Sequence, residues 1–176
     1  MKALALEAIK SPLALVDRPA PEPGAAEVVV KLAAAALNRR DFWITCGMYP
    51  GIETGGVLGS DGVGTVARVG QDVDAALVGS EVIIDPSLDW GDDERAQAAA
   101  HRILGMPDDG TFAEEVVVPA ANVHPKPAHL STEEAAALPL AGVTAYRALF
   151  SRGECRADDS VLRSLLEAHE GCEVAT

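Results

Sequence analysis

The chain has 176 residues, 48% of them hydrophobic but only 4% aromatic, and a formal net charge of -13. That length can bury one core with room for an appendage, and the core must be built from small side chains. The acidic balance argues against a nucleic-acid partner, because phosphates need a basic surface and the longest basic run is the short Asn38–Arg40 segment; no run is long and apolar enough to cross a bilayer. Cys46, Cys155 and Cys172 are odd in number and widely spaced. They argue against a disulfide framework and fit a reducing cytoplasm. Met1–Lys10 alternates like a strand and lacks a small-residue cleavage site, so no secretory signal is expected.

In chain order, Lys2–Glu7 and Leu13–Asp17 read as short strands, and a proline-rich turn follows from Arg18 to Gly24. Glu27–Ala35 has branched residues first and alanines later, the composition of a strand. Asn38 is a good N-cap, and Phe42, Trp43 and Cys46 sit at near-helical spacing, which predicts one or two helical turns ending at Gly47. Val63–Val69, Val82–Asp85 and Phe112–Val118 are three further strands. Between the last two, Pro86–Gly110 is a long excursion with a short helix expected at Glu94–Ile103. Its acidic residues, Asp89–Glu94 with Asp108 and Asp109, read as solvated loop charge; they lack the alternating oxygen ligands of a calcium loop.

The second half turns helical. Ser131 with Glu134 three residues on forms a capping box, and Pro139 breaks the helix so that a second runs from about Leu140 to Phe150. A last amphipathic stretch places Val161, Leu162, Leu165 and Leu166 on one face, with Asp159 or Ser160 as cap and Gly171 as stop. No internal repeat or low-complexity linker is present.

Two motifs invite a cofactor reading. Gly62, Gly64 and Ala67 have the G-x-G-x-x-A spacing of a dinucleotide loop, and Asp85 follows about twenty residues later. That loop needs a buried strand running into the glycines and a helix starting there, so that its N-terminus faces a pyrophosphate. The preceding residues are too glycine-rich for a core strand, and Thr65–Val69 alternates like a strand. The glycines are therefore expected inside a strand and turn of a barrel. Cys46 invites a zinc reading, but a tetrahedral site needs three or four converging ligands. No histidine precedes His101, the histidines His101, His124, His129 and His169 show no paired spacing, and there is no C-x-x-C. Cys46 reads as a half-buried thiol on the Phe42–Trp43 turn.

Five segments in order, LNRRDFWITCGMYPG, LGSDGVGTVARVG, GSEVIIDP, GTFAEEVVVPAANVHPKP and STEEAAALPLAGVTAYRAL, resemble the catalytic half of medium-chain dehydrogenase/reductases, most closely the zinc-free quinone oxidoreductase branch. The resemblance covers about Met1 to Gly153. It implies a mainly β fold with C-terminal helices: a GroES-like, partly open β-barrel over residues 1–130, connecting helices over 131–153, and a short tail over 154–176, with the Rossmann domain absent. Zinc-dependent relatives carry Gly-His-Glu where this chain has Gly59, Ser60 and Asp61, and four close cysteines in the lobe where Ser87–Gly110 has none, so no zinc is implied.

By the same resemblance, Asn38 and Asp41 lie at the cleft floor, Tyr49 lies near nicotinamide and substrate, and Thr144 lies on the helix that meets the nicotinamide. Asn38, Asp41 and Tyr49 are the implied catalytic residues and Thr144 the implied cofactor contact. Each has a plainer alternative: Asn38 as a cap, Asp41 paired with Arg39 or Arg40, Tyr49 as a loop anchor, Thr144 bonded back to its own turn. The implied cofactor is NAD(P)H and the implied partner a small quinone, enone or other carbonyl substrate. After Arg156–Leu162 the family pattern calls for a buried strand and a glycine-rich phosphate loop, and this chain reads RSLLEAHEGCEVAT instead. The expectation is a shortened, frameshifted or partial reductase that does not bind NAD(P)H by itself. The alternative is a non-catalytic binding or assembly module, covered by a second copy or another protein at the surface the missing domain leaves bare.

Overall fold

The computed structural model describes residues 1–160; the amphipathic stretch at Val161–Leu166 lies outside them. Nine strands and three α-helices are placed there. Strands β1 (Lys2–Ala5) and β2 (Ala14–Asp17) form an antiparallel hairpin. β3 (Glu27–Ala36), β4 (Asp61–Val69), β5 (Glu81–Ile84), β8 (Glu115–Pro119) and β9 (Val123–Pro125) form one antiparallel sheet in the order β8-β3-β4-β5-β9. β8 and β9 remain as edges, so the barrel is not closed. The hairpin runs beside the segment entering β8, where Leu4 N donates to Phe112 O and Glu114 N to Lys2 O.

The sequence pattern explains the core. Val28 and Val30 of β3, Val66 of β4, Val82 and Ile84 of β5 and Val116 of β8 converge in one apolar cluster. Branched side chains suit a pleated, buried surface, and each contributes roughly 1.5 kcal/mol or more on burial. Gly62 and Gly64 lie inside β4, as expected. At Gly64 the reason is close approach: a Cβ there would come within 2.9 Å of Leu32 Cα and closer still to the Lys31 carbonyl oxygen.

Helix α1 (Arg39–Thr45) follows β3, and the chain leaves it through Gly47 at φ 78, a left-handed stop that glycine adopts without strain. Helices α2 (Thr132–Ala137) and α3 (Pro139–Tyr146) adjoin at the Leu138–Pro139 step, and a π-helical turn, Arg147–Arg152, continues α3. Ser131 Oγ accepts from Glu134 N while Glu134 Oε2 accepts from Ser131 N, the anticipated capping box. Ala135 and Ala136 are buried with Val63 of β4, so small side chains bring α2 close onto the sheet.

The excursion after β5 departs from expectation. No helix forms at Glu94–Ile103. Instead β6 (Ser87–Leu88) pairs with β7 (Arg102–Ile103), with turns and bends between them. The carbonyls of Glu94 and Arg95 accept from the Arg147 and Arg152 guanidinium groups, and Ala98 N donates to Trp90 O. The acidic residues also do more than face solvent: Asp89 and Asp108 each lie 2.7 Å from the Arg102 guanidinium, and Asp109 Oδ1 accepts from Val57 N at 2.8 Å. At the other end, Arg156–Ser160 forms turn and coil.

Candidate functional site

The N-terminus of α1 is a polar joint. Asn38 sits at the N-cap, and Asp41 Oδ2 accepts from Asn38 N at 2.8 Å while Oδ1 accepts from Gly59 N at 3.3 Å. Asp41 is thus held by backbone N–H groups rather than by an ion pair with Arg39 or Arg40. The Asn38 amide donates to Asp61 Oδ2 at 3.0 Å, and Leu140 N donates to Asp61 Oδ1 at 2.8 Å. One carboxylate therefore ties α1, β4 and α3 together. Both acids are buried, Asp41 at 5% exposure and Asp61 at 1%. Burial pushes both carboxyls above their ordinary range. Bonds from Asn38 and Gly59 pull Asp41 back, and bonds from Asn38 and Leu140 pull Asp61 back.

Arg40, one residue on, turns the other way. It is 8% exposed, and its guanidinium donates to the carbonyls of Leu104, Ile103 and Met106 and to Ser60 Oγ. Its Nε donates to Tyr49 Oη at 3.2 Å, and the guanidinium carbon lies 5.1 Å from the Tyr49 ring centre. A buried cation surrounded by carbonyl dipoles and hydroxyls thus anchors the lobe to the barrel. Arg40 and Tyr49 line a cleft of about 540 Å³ that also includes Glu53, Gln97 and His101.

A second cleft, about 400 Å³, opens between the barrel, the lobe and α3. Asp85 and Ser87 come from the barrel side, Trp90, His101 and Ile103 from the lobe, and Thr144 and Arg147 from the helical side. Arg147 lies 4.2 Å over the Trp90 ring and holds two lobe carbonyls, so it straps the lobe to α3. Thr144 Oγ1 donates to Leu140 O at 2.8 Å, the back-bond to its own turn. Gln97, His101 and Ile103 line both clefts.

The four residues singled out from sequence therefore fall at three places. Asn38 and Asp41 meet at the joint with Asp61, Tyr49 opens on one cleft, and Thr144 opens on the other. Sequence reasoning missed Arg40 and the lobe residues Trp90 and His101. The doubled arginine directly after an N-cap was the available signal for Arg40: adjacent residues of a helix project about 100° apart, so the two side chains meet different surroundings. Nothing local marked His101, whose neighbours come from distant segments.

Two cofactor readings, a zinc site and a dinucleotide loop at Gly62–Ala67, can be set against the described residues. Among them no three His, Cys, Asp or Glu side chains converge. Ser60 Oγ donates to Leu104 O under the Arg40 guanidinium, and both Asp61 oxygens already accept N–H bonds. A cation beside the Ser60 hydroxyl and a carboxylate already engaged at both oxygens make a poor donor set for zinc. Gly62 and Gly64 continue along β4 instead of opening a helix, so their N–H groups do not converge on a pyrophosphate.

A partly open antiparallel barrel, with a lobe and a trailing helix walling a cleft at its rim, is the architecture of a GroES-like domain. Residues 24–128 match the alcohol dehydrogenase GroES-like domain, and the chain belongs to that family, within the medium-chain dehydrogenase/reductase oxidoreductases. It is 42% identical over 129 residues to a zinc-type alcohol dehydrogenase-like protein of Schizosaccharomyces pombe, covering 73% of this chain and 37% of that protein. A trans-enoyl reductase of Aspergillus terreus is 36% identical over 141 residues, covering 78% of this chain and 43% of that protein. A crystal structure of an NAD-dependent alcohol dehydrogenase superposes with a TM-score of 0.83 at 42% identity, over 90% of this chain and 49% of that chain. The chain spans less than half the length of each of these relatives. No helix among the described residues is long and apolar enough to cross a membrane.

Proposed function

We propose that this chain is the substrate-side domain of a zinc-independent, NAD(P)H-dependent oxidoreductase acting on small quinones, enones or related carbonyl compounds. The observation that carries the reading is the pair of clefts sharing the wall Gln97–His101–Ile103, with Tyr49 and Arg40 in one and Thr144 in the other. Their size suits small molecules, and in the second cleft a few polar groups on a largely apolar wall suit orientation of an oxygen function. The Asn38–Asp61–Leu140 chain of bonds positions α3, and with it Thr144, against the barrel. The zinc-free reading rests on the Arg40–Ser60 arrangement, in which a guanidinium occupies the space beside the hydroxyl.

NAD(P)H supplies the hydride in such enzymes. Here the described residues offer it at most a contact at Thr144 and no cradle for its phosphates. Calorimetric titration of the chain with NADPH is therefore expected to give no saturable binding, and tight stoichiometric binding would refute that part of the reading. A second reading, an assembly module, is favoured by a row of exposed apolar side chains just before, on and after α3: Leu138, Val143, Tyr146 at 65% exposure, and Phe150. A second copy covering that row would appear as a dimer by light scattering, and a strict monomer at high concentration speaks against it.

A further inference from the structure

We propose that Nε2 of His101 is a ligand contact of the cleft between lobe and α3, the acceptor for the hydroxyl of a small alcohol. The inference rests on the reading of these clefts as the substrate site, and deepens it by naming the atom and the form of substrate it meets. His101 Nδ1 lies 3.0 Å from the Leu88 carbonyl oxygen. A carbonyl only accepts, so Nδ1 carries a proton, and the neutral tautomer with that proton has its lone pair at Nε2. The ring is fixed in that pose: Trp90 stands edge-on at 5.0 Å and 66°, and the backbone beneath is closed by the His101 N to Ala98 O bond. With Nδ1 spent on the lobe, Nε2 is the nitrogen available to the cleft.

The position matters as much as the tautomer. His101 is half-buried and lies on the wall common to both clefts, whereas His124 and His129 are exposed. Facing it across the second cleft are Leu140 and Val143 of α3, which offer apolar surface to a carbon skeleton. A lone-pair acceptor on such a wall selects a ligand that brings its own donor. An alcohol does so; an ether of the same shape leaves the nitrogen unpaired and loses the bond. The alcohol is the reduced partner of a carbonyl substrate, so one position would discriminate the two ends of the proposed reaction.

The test is nitrogen-15 NMR of the histidine-labelled chain at about pH 8, where imidazoles are mostly neutral. His101 is assigned by its loss in His101→Asn. The expected result is an Nδ1–H tautomer for His101, with its Nε2 signal moving on addition of benzyl alcohol and not on addition of benzyl methyl ether. The His101→Asn side chain keeps a donor for Leu88 O but has nothing at the Nε2 position. It is expected to retain the thermal midpoint and to bind benzyl alcohol about three- to tenfold more weakly. An Nε2–H tautomer, an equal response to alcohol and ether, or unchanged affinity in the variant overturns the proposal. If that variant does not fold, the tautomer and the alcohol-against-ether comparison in the unsubstituted chain decide, with the assignment taken from through-bond correlation. Shifts of cleft amides at Tyr49 or Thr144 with His101 silent sink this assignment alone. No shift at any cleft amide sinks it together with the reading of the clefts as a substrate site.

Discussion

In the barrel, Val28, Val30, Val66, Val82 and Ile84 are all 1% exposed or less and form one cluster across three strands. In the lobe from Pro86 to Met106, the buried apolar side chains are few, Pro86, Leu88, Leu104 and Met106, and the remaining ties are polar: Arg40 to three carbonyls, Arg102 between Asp89 and Asp108, Arg147 on Trp90. Burial spreads stability over many contacts, so no single truncation dislocates the sheet. Hydrogen bonds from one cation concentrate it, so one substitution can release a whole wall. The clefts lie where these two regimes meet. Their floor is rigid by packing, and their outer wall is held in place by a handful of guanidinium groups.

The strongest way to break that contrast acts on the barrel. Gly64→Ala forces β3 and β4 apart where only a hydrogen fits, and is expected to cost about 4 kcal/mol, moving every probe in urea unfolding together. A loss below about 1 kcal/mol would show that the two strands separate easily. Arg40→Met comes next. It leaves the Met106 carbonyl without its donor, while Leu104 O keeps Ser60 Oγ and Ile103 O keeps Met106 N, with an expected loss of about 2 kcal/mol. Hydrogen exchange should then show lobe amides released while barrel amides stay protected. Equal release in both regions would contradict the division drawn here.

The smallest effect concerns Asp61, where barrel and helices meet. Burial raises its carboxyl in the folded state, so the folded chain binds the proton more tightly than the unfolded chain. The resulting stability is fully present below the unfolded carboxylate range and is lost as pH rises through the raised folded value. Asp61→Asn does not titrate there. Its stability relative to the unsubstituted chain should therefore improve as pH rises across that window, read from urea midpoints at several pH values. A difference independent of pH would show that Asp61 does not carry the effect.

How much was legible in the residues varies with how local the cause is. The Ser131–Glu134 box, the break at Pro139, the α1 turn ending at Gly47 and the β4 glycines follow from interactions within a few residues, and each is found as read. The helix anticipated at Glu94–Ile103 rested on propensity alone. A ten-residue stretch pays a nucleation cost that alanine and glutamine cannot repay without a packing face. Here Arg147 and Arg152 take its carbonyls, and the β6–β7 pairing takes its end. The candidate site divides in the same way. Asn38, Asp41, Tyr49 and Thr144 were marked by resemblance. Their division among a joint and two clefts, and the part played by Arg40, depend on segments far apart in the chain.

By itself, then, the order of residues determined the longer strands, the caps, the breaks and the family, because these depend on side-chain size, branching and backbone freedom at neighbouring positions. Only the folded arrangement decided which polar groups are buried and what they bind. Asp61 meets Leu140 and Arg40 meets Met106 across separations of 79 and 66 residues. A carboxylate or guanidinium reads the same in sequence whether water or a protein carbonyl surrounds it, and the difference between those surroundings gives it its role.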